Sequence, residues 1–235
     1  MNFLRRSPTS LPDAEHKTEA VRTMFDAIAP RYELVNRLMT FGLDAQWRKR
    51  CLDSLGLAKG NRVLDLASGT GDLTRSLIDR GFDVVSADLS FGMLDAGHDM
   101  AATVQSDASR LPFERGSFDG LVCGYALRNF TDLEACVAEM GRIVRPGGRI
   151  ALLDVAEPTS KLMRTGYDLW FRRCVPIIGG LLSDAAAYQY LPDSTVYLPE
   201  PASFRAMLNT HHFSGVNHHV LSGGLSQLYT ATKEI

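Results

Sequence analysis

Residues Val63-Leu64-Asp65-Leu66-Ala67-Ser68-Gly69-Thr70-Gly71-Asp72 join a short apolar run to a glycine turn, and the following residues 73–80 carry a helical pattern. An aliphatic run bounded by turn residues signals a buried parallel strand, and glycine at such a turn lets a ligand approach the backbone closely. The segment therefore reads as the strand–turn–helix of a nucleotide-type α/β fold. A dinucleotide fingerprint needs a third glycine three residues after the second, and Thr74 stands there; NAD is disfavoured. Asp65 lies inside the strand, where dinucleotide binders keep an apolar residue. A buried carboxylate is costly without hydrogen-bond donors, so Asp65 reads as ordering the glycine loop or meeting a cationic ligand.

The same ten residues resemble motif I of the class I S-adenosylmethionine-dependent methyltransferases. That resemblance implies an α/β Rossmann-like sheet with helices on both faces. It also makes Asp65, Ala67, Gly69, Thr70 and Gly71 candidates for binding S-adenosylmethionine.

Composition limits the alternatives. At 235 residues the chain suits one domain with additions. A net charge of −2 with interspersed signs leaves no electrostatic footprint for nucleic acid, and a small-molecule partner is expected. Cys51, Cys123, Cys136 and Cys174 are widely spaced, which signals neither a zinc site nor a disulfide framework; they read as reduced and packed, hence a cytoplasmic protein. Residues 1–17 lack the apolar run of a signal peptide and read as a flexible tail. The longest apolar stretch, residues 175–182, is too short to span a bilayer. One domain is expected over residues 18–235, with a helical cap at 18–56 and an insertion at 160–200.

In chain order, Val21, Met24, Phe25 and Ile28 form a helical stripe over residues 18–29 that ends at Pro30. Residues 31–42 and then Trp47-Arg48 supply aromatic and amide groups ahead of the core, and a second amphipathic helix covers 43–55. Residues 83–88 read as the second strand. Asp88 ends it about 20 residues past the turn, where a carboxylate can accept both vicinal ribose hydroxyls. Residues 90–97 read as a helix. Asp107, with Ala108 after it, follows a short strand and resembles the adenine-binding acid of these methyltransferases; a capped turn is the plain alternative. The fourth strand covers 117–124. Ligands bind outside the carboxyl ends of such strands, at the point where strand order reverses, so Tyr125-Ala126-Leu127-Arg128-Asn129-Phe130 should face the chemistry. A helix over 133–144, a Pro146-Gly147-Gly148 turn and a fifth strand over 149–155 follow. Asp154 and Glu157 close that strand. Residues 202–208 read as a helix, and 215–221 with 225–232 as the closing strands. The pairs His211-His212 and His218-His219 point to opposite faces of their strands without a closed ligand set, so no metal is expected.

Met24-Phe25-Asp26 through Trp47, Arg128-Asn129 and the segment 175–199 resemble the UbiE/COQ5 family of quinone-biosynthesis C-methyltransferases. The chain departs from its pattern in places: Glu33 replaces an aspartate, Tyr125-Ala126 replaces Phe-Gly, Asp154 and Glu157 stand where the family has Glu-Phe, Val196 replaces an arginine, and Ser222-Gly223-Gly224 replaces Thr-Gly-Gly. The resemblance implies C-methylation of a demethylated prenylquinol, demethylmenaquinol first. Arg128 would stabilise the phenolate, and Asn129 and Tyr32 would orient the ring. The insertion at 161–199, rich in aromatic and aliphatic residues with Arg164, Arg172 and Arg173 among them, reads as helices over the site. It is either packed core or a peripheral contact with the inner face of the membrane. A homodimer is compatible with the sequence. Two rivals stay open: a methyltransferase of another small lipid, phenolic or amine substrate, and a non-catalytic nucleotide-binding module.

Overall fold

The computed structural model describes residues 16–97, 101–158, 160–170, 175, 190 and 193–235. The tail expected over 1–17 lies outside these residues except at its end, where Lys17 opens the first helix and is buried. Also outside are Arg172, Arg173, Cys174 and most of the segment 175–192.

Seven strands form one sheet: β1 (Arg62–Leu66), β2 (Asp83–Asp88), β3 (Ala102–Gln105), β4 (Phe118–Gly124), β5 (Val144–Val155), β6 (Phe213–Leu221) and β7 (Ser226–Lys233). Their order is β3-β2-β1-β4-β5-β7-β6. The first five are parallel, and β7 runs antiparallel between β5 and β6. Because β1 pairs with β2 on one side and β4 on the other, the order reverses beside β1. The expected switch point is there.

Side chains alternate across a strand, and the core divides accordingly. Leu64, Val85, Leu121 and Ile150 pack with α6 (Leu133–Ile143) and α8 (Pro201–Thr210). Their neighbours Val63, Val84, Val122 and Ala151 pack on the opposite face with Cys51 and Leu52 of α3 (Leu43–Asp53) and Leu73 and Leu77 of α4 (Asp72–Asp79). Burial on both faces explains why the parallel strands read as unbroken apolar runs.

The cap comprises α1 (Lys17–Ile28), a 3-10 turn over Ala29–Arg31 and α2 (Tyr32–Met39). Pro30 therefore redirects the chain into a second helix, which its place in the first turn of the 3-10 segment permits. The expected turn at Pro146-Gly147-Gly148 is absorbed into β5, whose register against β4 shifts from Phe118↔Val144 to Gly120↔Arg149. A Cβ on Gly148 would stand 2.8 Å from the Asp119 carbonyl oxygen, so this irregularity needs glycine. The insertion begins with α7 (Lys161–Leu169) and ends in a 3-10 turn at Ser194–Tyr197.

Candidate active site

Two non-glycine residues at the switch point have left-handed backbone: Ala67 just after β1 (φ 54°) and Tyr125 just after β4 (φ 62°). Such strain is tolerated where surrounding bonds fix the chain. Ser68 N–H donates to the Ala87 carbonyl, Gly71 N–H to Ser68, and Tyr125 N–H to Leu153. The two turns thereby leave β1 and β4 in fixed directions and open a cavity of about 260 Å³ at the strand ends.

Of the candidates named from the sequence, Ala67, Gly69, Asp88, Asp107, Ala108, Asn129 and Tyr32 line this cavity. Asp88 accepts the Gly69 amide on Oδ2 and the Ser90 amide on Oδ1, both at 2.8 Å. Burial raises its pKa from the ordinary value, although the backbone donors work against that rise. A carboxylate offers about four lone-pair sites, so each oxygen keeps capacity for a ribose hydroxyl. Asp107 takes both the amide (2.8 Å) and hydroxyl (2.7 Å) of Ser109 on Oδ1. It is thus a capped turn and a cavity residue at once.

Three candidates lie outside the lining of this cavity. Asp65 is fully buried and does not line the cavity; Thr74 Oγ1 donates to its Oδ2 at 2.6 Å, and Thr74 Oγ1 lies 2.7 Å from Ser86 Oγ. Asp65 and Ser86 are register partners on β1 and β2, and Thr74 rests on both from α4. Of the two expected roles, the geometry favours ordering the loop. Thr70 and Gly71 also lie away from the cavity, and the Thr70 carbonyl accepts Arg75 Nη1 at 2.7 Å. They shape the loop.

A second, smaller cavity of about 70 Å³ adjoins the first. Tyr32 and Tyr125 line both. Its other walls include Met39, Trp47, Val155, Tyr167 and Leu225, with Asn36, Asp44, Arg48 and Arg128 as polar groups. Arg128 is 4% exposed. Its Nη1 donates to Asp154 Oδ1 (2.5 Å) and to the Tyr125 carbonyl (2.7 Å), and its Nε donates to Ser194 Oγ (3.1 Å). Arg128 is therefore half of a buried ion pair with Asp154, a partner that the sequence reading did not give it. It also ties the end of the insertion to β5. Asn129 Oδ1 accepts the Tyr190 hydroxyl at 3.2 Å. Tyr32 is half-buried; burial raises its phenol pKa, with Asn36 and Arg128 opposing.

Sequence reasoning missed how the cap is fastened. Lys17 Nζ donates to the carbonyls of Arg128 (3.1 Å) and Phe130 (2.8 Å) and sits 3.8 Å from the centroid of the Tyr197 ring. Burial pulls its pKa down to about 8. Asp26 Oδ1 accepts the Ser90 hydroxyl (2.5 Å) and the Gly92 amide (2.9 Å) at the start of α5 (Phe91–Ala96). Glu33 meets Arg75 at 2.6 Å, and Arg75 in turn holds Asp72. The longer side chain at 33 thus reaches the glycine-turn helix. A lone lysine or aspartate in a helix carries no sequence signal of such distant partners.

Arg164, one of the three basic residues noted in the insertion, is paired with Glu157 at 2.7 Å. The histidines have other partners: His218 stacks on Tyr229 and meets Gln227, His211 approaches Glu134, and His212 approaches Glu234. Among the described residues no helix is long and apolar enough to cross a membrane. Cys51, Cys123 and Cys136 are buried free thiols.

Residues 13–233 match the family model described as "ubiE/COQ5 methyltransferase family". The chain belongs to that family. It is 35% identical over 229 residues to the ubiquinone/menaquinone biosynthesis C-methyltransferase UbiE of Geobacter sulfurreducens, which covers 92% of this chain and 90% of that protein. It is 38% identical over 221 residues to the demethylmenaquinone methyltransferase of Thermus thermophilus, covering 89% of this chain and all (100%) of the relative. Among solved structures, the fold matches phosphoethanolamine N-methyltransferase 2 of Haemonchus contortus in complex with S-adenosyl-L-methionine. The TM-score is 0.67 at 16% identity, covering 92% of this chain and 60% of that one. At that identity the likeness concerns the fold. As a family member the chain is a methyltransferase.

Proposed function

We propose that this methyltransferase moves the methyl group of S-adenosylmethionine to a ring carbon of a demethylated prenylquinol, with demethylmenaquinol the first candidate. The observation that carries the reading is the pair of adjoining cavities that share Tyr32 and Tyr125 as walls. One suits a nucleoside: it has the ribose acid Asp88, the adenine-side acid Asp107 and apolar walls at Phe25, Met93 and Phe130. The other suits a hydrophobic ring. The names of the family relatives favour the quinol.

The residues fit the donor without strain. Asp88 would take the ribose diol and Gly69 would let it come close; Asp107 would accept from the adenine amino group through Oδ2. S-adenosylmethionine supplies an electrophilic methyl group. What the protein must supply is a carbon nucleophile, and a quinol carbon becomes one when its phenol loses a proton. Tyr32 and Asn129 orient the ring. Among the described residues the side-chain bonds of Arg128 use Nε and Nη1, and Nη2 would meet a phenolate oxygen. Because Asp154 offsets the charge, Arg128 acts as an aimed hydrogen-bond donor more than as a cation.

That offset weakens one argument against an amine acceptor, namely that a cation would repel its transition state. The apolar walls Met39, Trp47, Val155 and Leu225 replace it as the discriminator, since they suit a flat hydrophobic ring better than a charged head group. The test is incubation with methyl-labelled S-adenosylmethionine and a lipid extract containing both classes. Label in a prenylquinone supports the reading; label only in amine lipids overturns it. A prenylated acceptor dissolves in a bilayer, so peripheral membrane contact is part of this proposal.

A further inference from the structure

The 3-10 turn Leu127–Asn129 ends in carbonyls that no following turn of helix satisfies, which is where a cation is well placed. Lys17, the first residue of α1, fills that place. Its Nζ donates to the carbonyl of Phe130 at 2.8 Å and to that of Arg128 at 3.1 Å. These two carbonyls flank Asn129, so one ammonium fixes the peptide planes on both sides of it. The same ammonium stands 3.8 Å from the centroid of the Tyr197 ring. Lys17 is 5% exposed, and a buried ammonium persists only where such partners replace water.

Three segments with different tasks meet at this ammonium. Thr18, Val21, Arg22 and Phe25, which follow Lys17 on α1, line the larger cavity. The turn carries Asn129, a wall of that cavity, and Arg128, a wall of the second. Tyr197 closes the 3-10 turn at the end of the insertion, and Ser194, which opens that turn, accepts Arg128 Nε. Thr18 Oγ1 lies 2.7 Å from Thr131 Oγ1, so a second bond beside Lys17 keeps α1 against the same loop. The guanidinium of Arg128 is held by Asp154, Tyr125 and Ser194; its main chain is held from the cap, by Lys17. A lysine that only fastened a helix could use any nearby carboxylate. This one spends its donors on the turn that carries Arg128 and Asn129.

We propose that Lys17 is a positioning residue for methyl transfer: it couples the helix that walls the larger cavity to the turn that aims Arg128 and Asn129 at the acceptor. The proposal rests on the quinol reading for the identity of that acceptor. Because Asp26 still ties α1 to Ser90 and Gly92 near its other end, loss of Lys17 should slow the chemical step and spare donor binding.

The test is single-turnover methylation of demethylmenaquinol in detergent at saturating donor and acceptor, with donor affinity taken from titration calorimetry. Lys17→Met keeps a side chain of similar length without its donors; the rate should fall about tenfold while donor affinity stays within about twofold. Lys17→Arg keeps a cation with donors and should recover most of that loss. Tyr197→Leu leaves Lys17 in place and removes the ring beside it, and should slow the same step about threefold. A residue that acts through Arg128 adds nothing once Arg128 is impaired. Lys17→Met/Arg128→Lys should therefore be no slower than Arg128→Lys alone, whereas a merely structural lysine would cost its tenfold again. A wild-type rate in Lys17→Met, losses that multiply in the double variant, or weakened donor binding that accounts for the slower turnover overturns the proposal. Should Lys17→Met fail to fold, Tyr197→Leu and its combination with Arg128→Lys decide in the same way. If wild type methylates no quinol, the quinol reading falls, and the same comparison on the acceptor labelled in the lipid extract decides the role of Lys17.

Discussion

Thr74 Oγ1 donates to Asp65 Oδ2 at 2.6 Å, so the residue occupying the place of a third glycine is the partner of the acid inside β1. With Asp65 ionised, the single hydroxyl proton of Thr74 goes to the carboxylate. Ser86, 2.7 Å away, then donates to Thr74. Two features that looked like separate departures from a dinucleotide site are one hydrogen-bonded unit, and it pins α4 to β1 and β2 behind the glycine loop.

That unit makes stability depend on pH. Burial raises the Asp65 carboxyl to about 7 from 3.8, with the Thr74 bond opposing the rise. A group whose pKa is higher folded than unfolded contributes stability in full below its unfolded pKa, and that contribution is lost as pH rises through the folded value. The contribution should therefore fall between about pH 4 and pH 7. Asp65→Asn, which stays neutral, should melt progressively higher relative to wild type across that interval, with the gap constant above it. Thermal scans without ligand at pH 4, 5.5, 7 and 8 check this; a gap independent of pH contradicts it.

Asp88 is expected to hold the donor. Asp88→Asn keeps one acceptor oxygen but loses the charge, and its amide nitrogen must face one of the backbone donors Gly69 or Ser90. Binding of S-adenosylmethionine should weaken by about 1 to 3 kcal/mol. Titration calorimetry on a folded variant with unchanged affinity would remove Asp88 from the site.

Asp154 is expected to be needed chiefly because Arg128 is there. Both are buried, and Asp154→Ala leaves a charge without its counterpart, which costs about 3 to 5 kcal/mol. Replacing the pair together, Arg128→Met with Asp154→Leu, should recover much of that loss while abolishing turnover. Urea unfolding of the three proteins measures it; equal loss in single and double variants would mean that the pair is not coupled.

Arg128→Lys retains charge but cannot reach Asp154, the Tyr125 carbonyl and Ser194 in one planar fork. Turnover should fall on the order of a hundredfold with little change in donor affinity. Single-turnover rates at saturating quinol equal to wild type would show that Arg128 takes no part in the reaction.

The sheet was legible because its signals are local. Aliphatic runs at 63–66, 84–87 and 120–123 need burial on both faces, and the acid Asp88 follows the glycine turn at a distance set by one helix and one strand. Those constraints also located the cavity, since strand order and strand ends determine it. What sequence could not show was pairing at long range. Asp154 lies 26 residues from Arg128, so the neutrality of that pair exists only in the fold. Lys17, assigned to a tail, is held by carbonyls 111 and 113 residues away. Pro30 was read as a stop because proline ends a helix; it can equally open the next turn, and packing of Ile28, Ala29 and Val35 decides between the two.

The central claim is transfer of a methyl group to a ring carbon, and the most direct measurement follows that carbon. Purified protein, reduced demethylmenaquinone in detergent and S-adenosylmethionine carrying a carbon-13 methyl group should yield a lipid whose labelled carbon gives the chemical shift of a methyl on a quinone ring. The protons of that methyl should also give long-range correlations to ring carbons. A label at the shift of a methoxy or N-methyl carbon, or no labelled lipid from folded protein that binds the donor, would contradict the account.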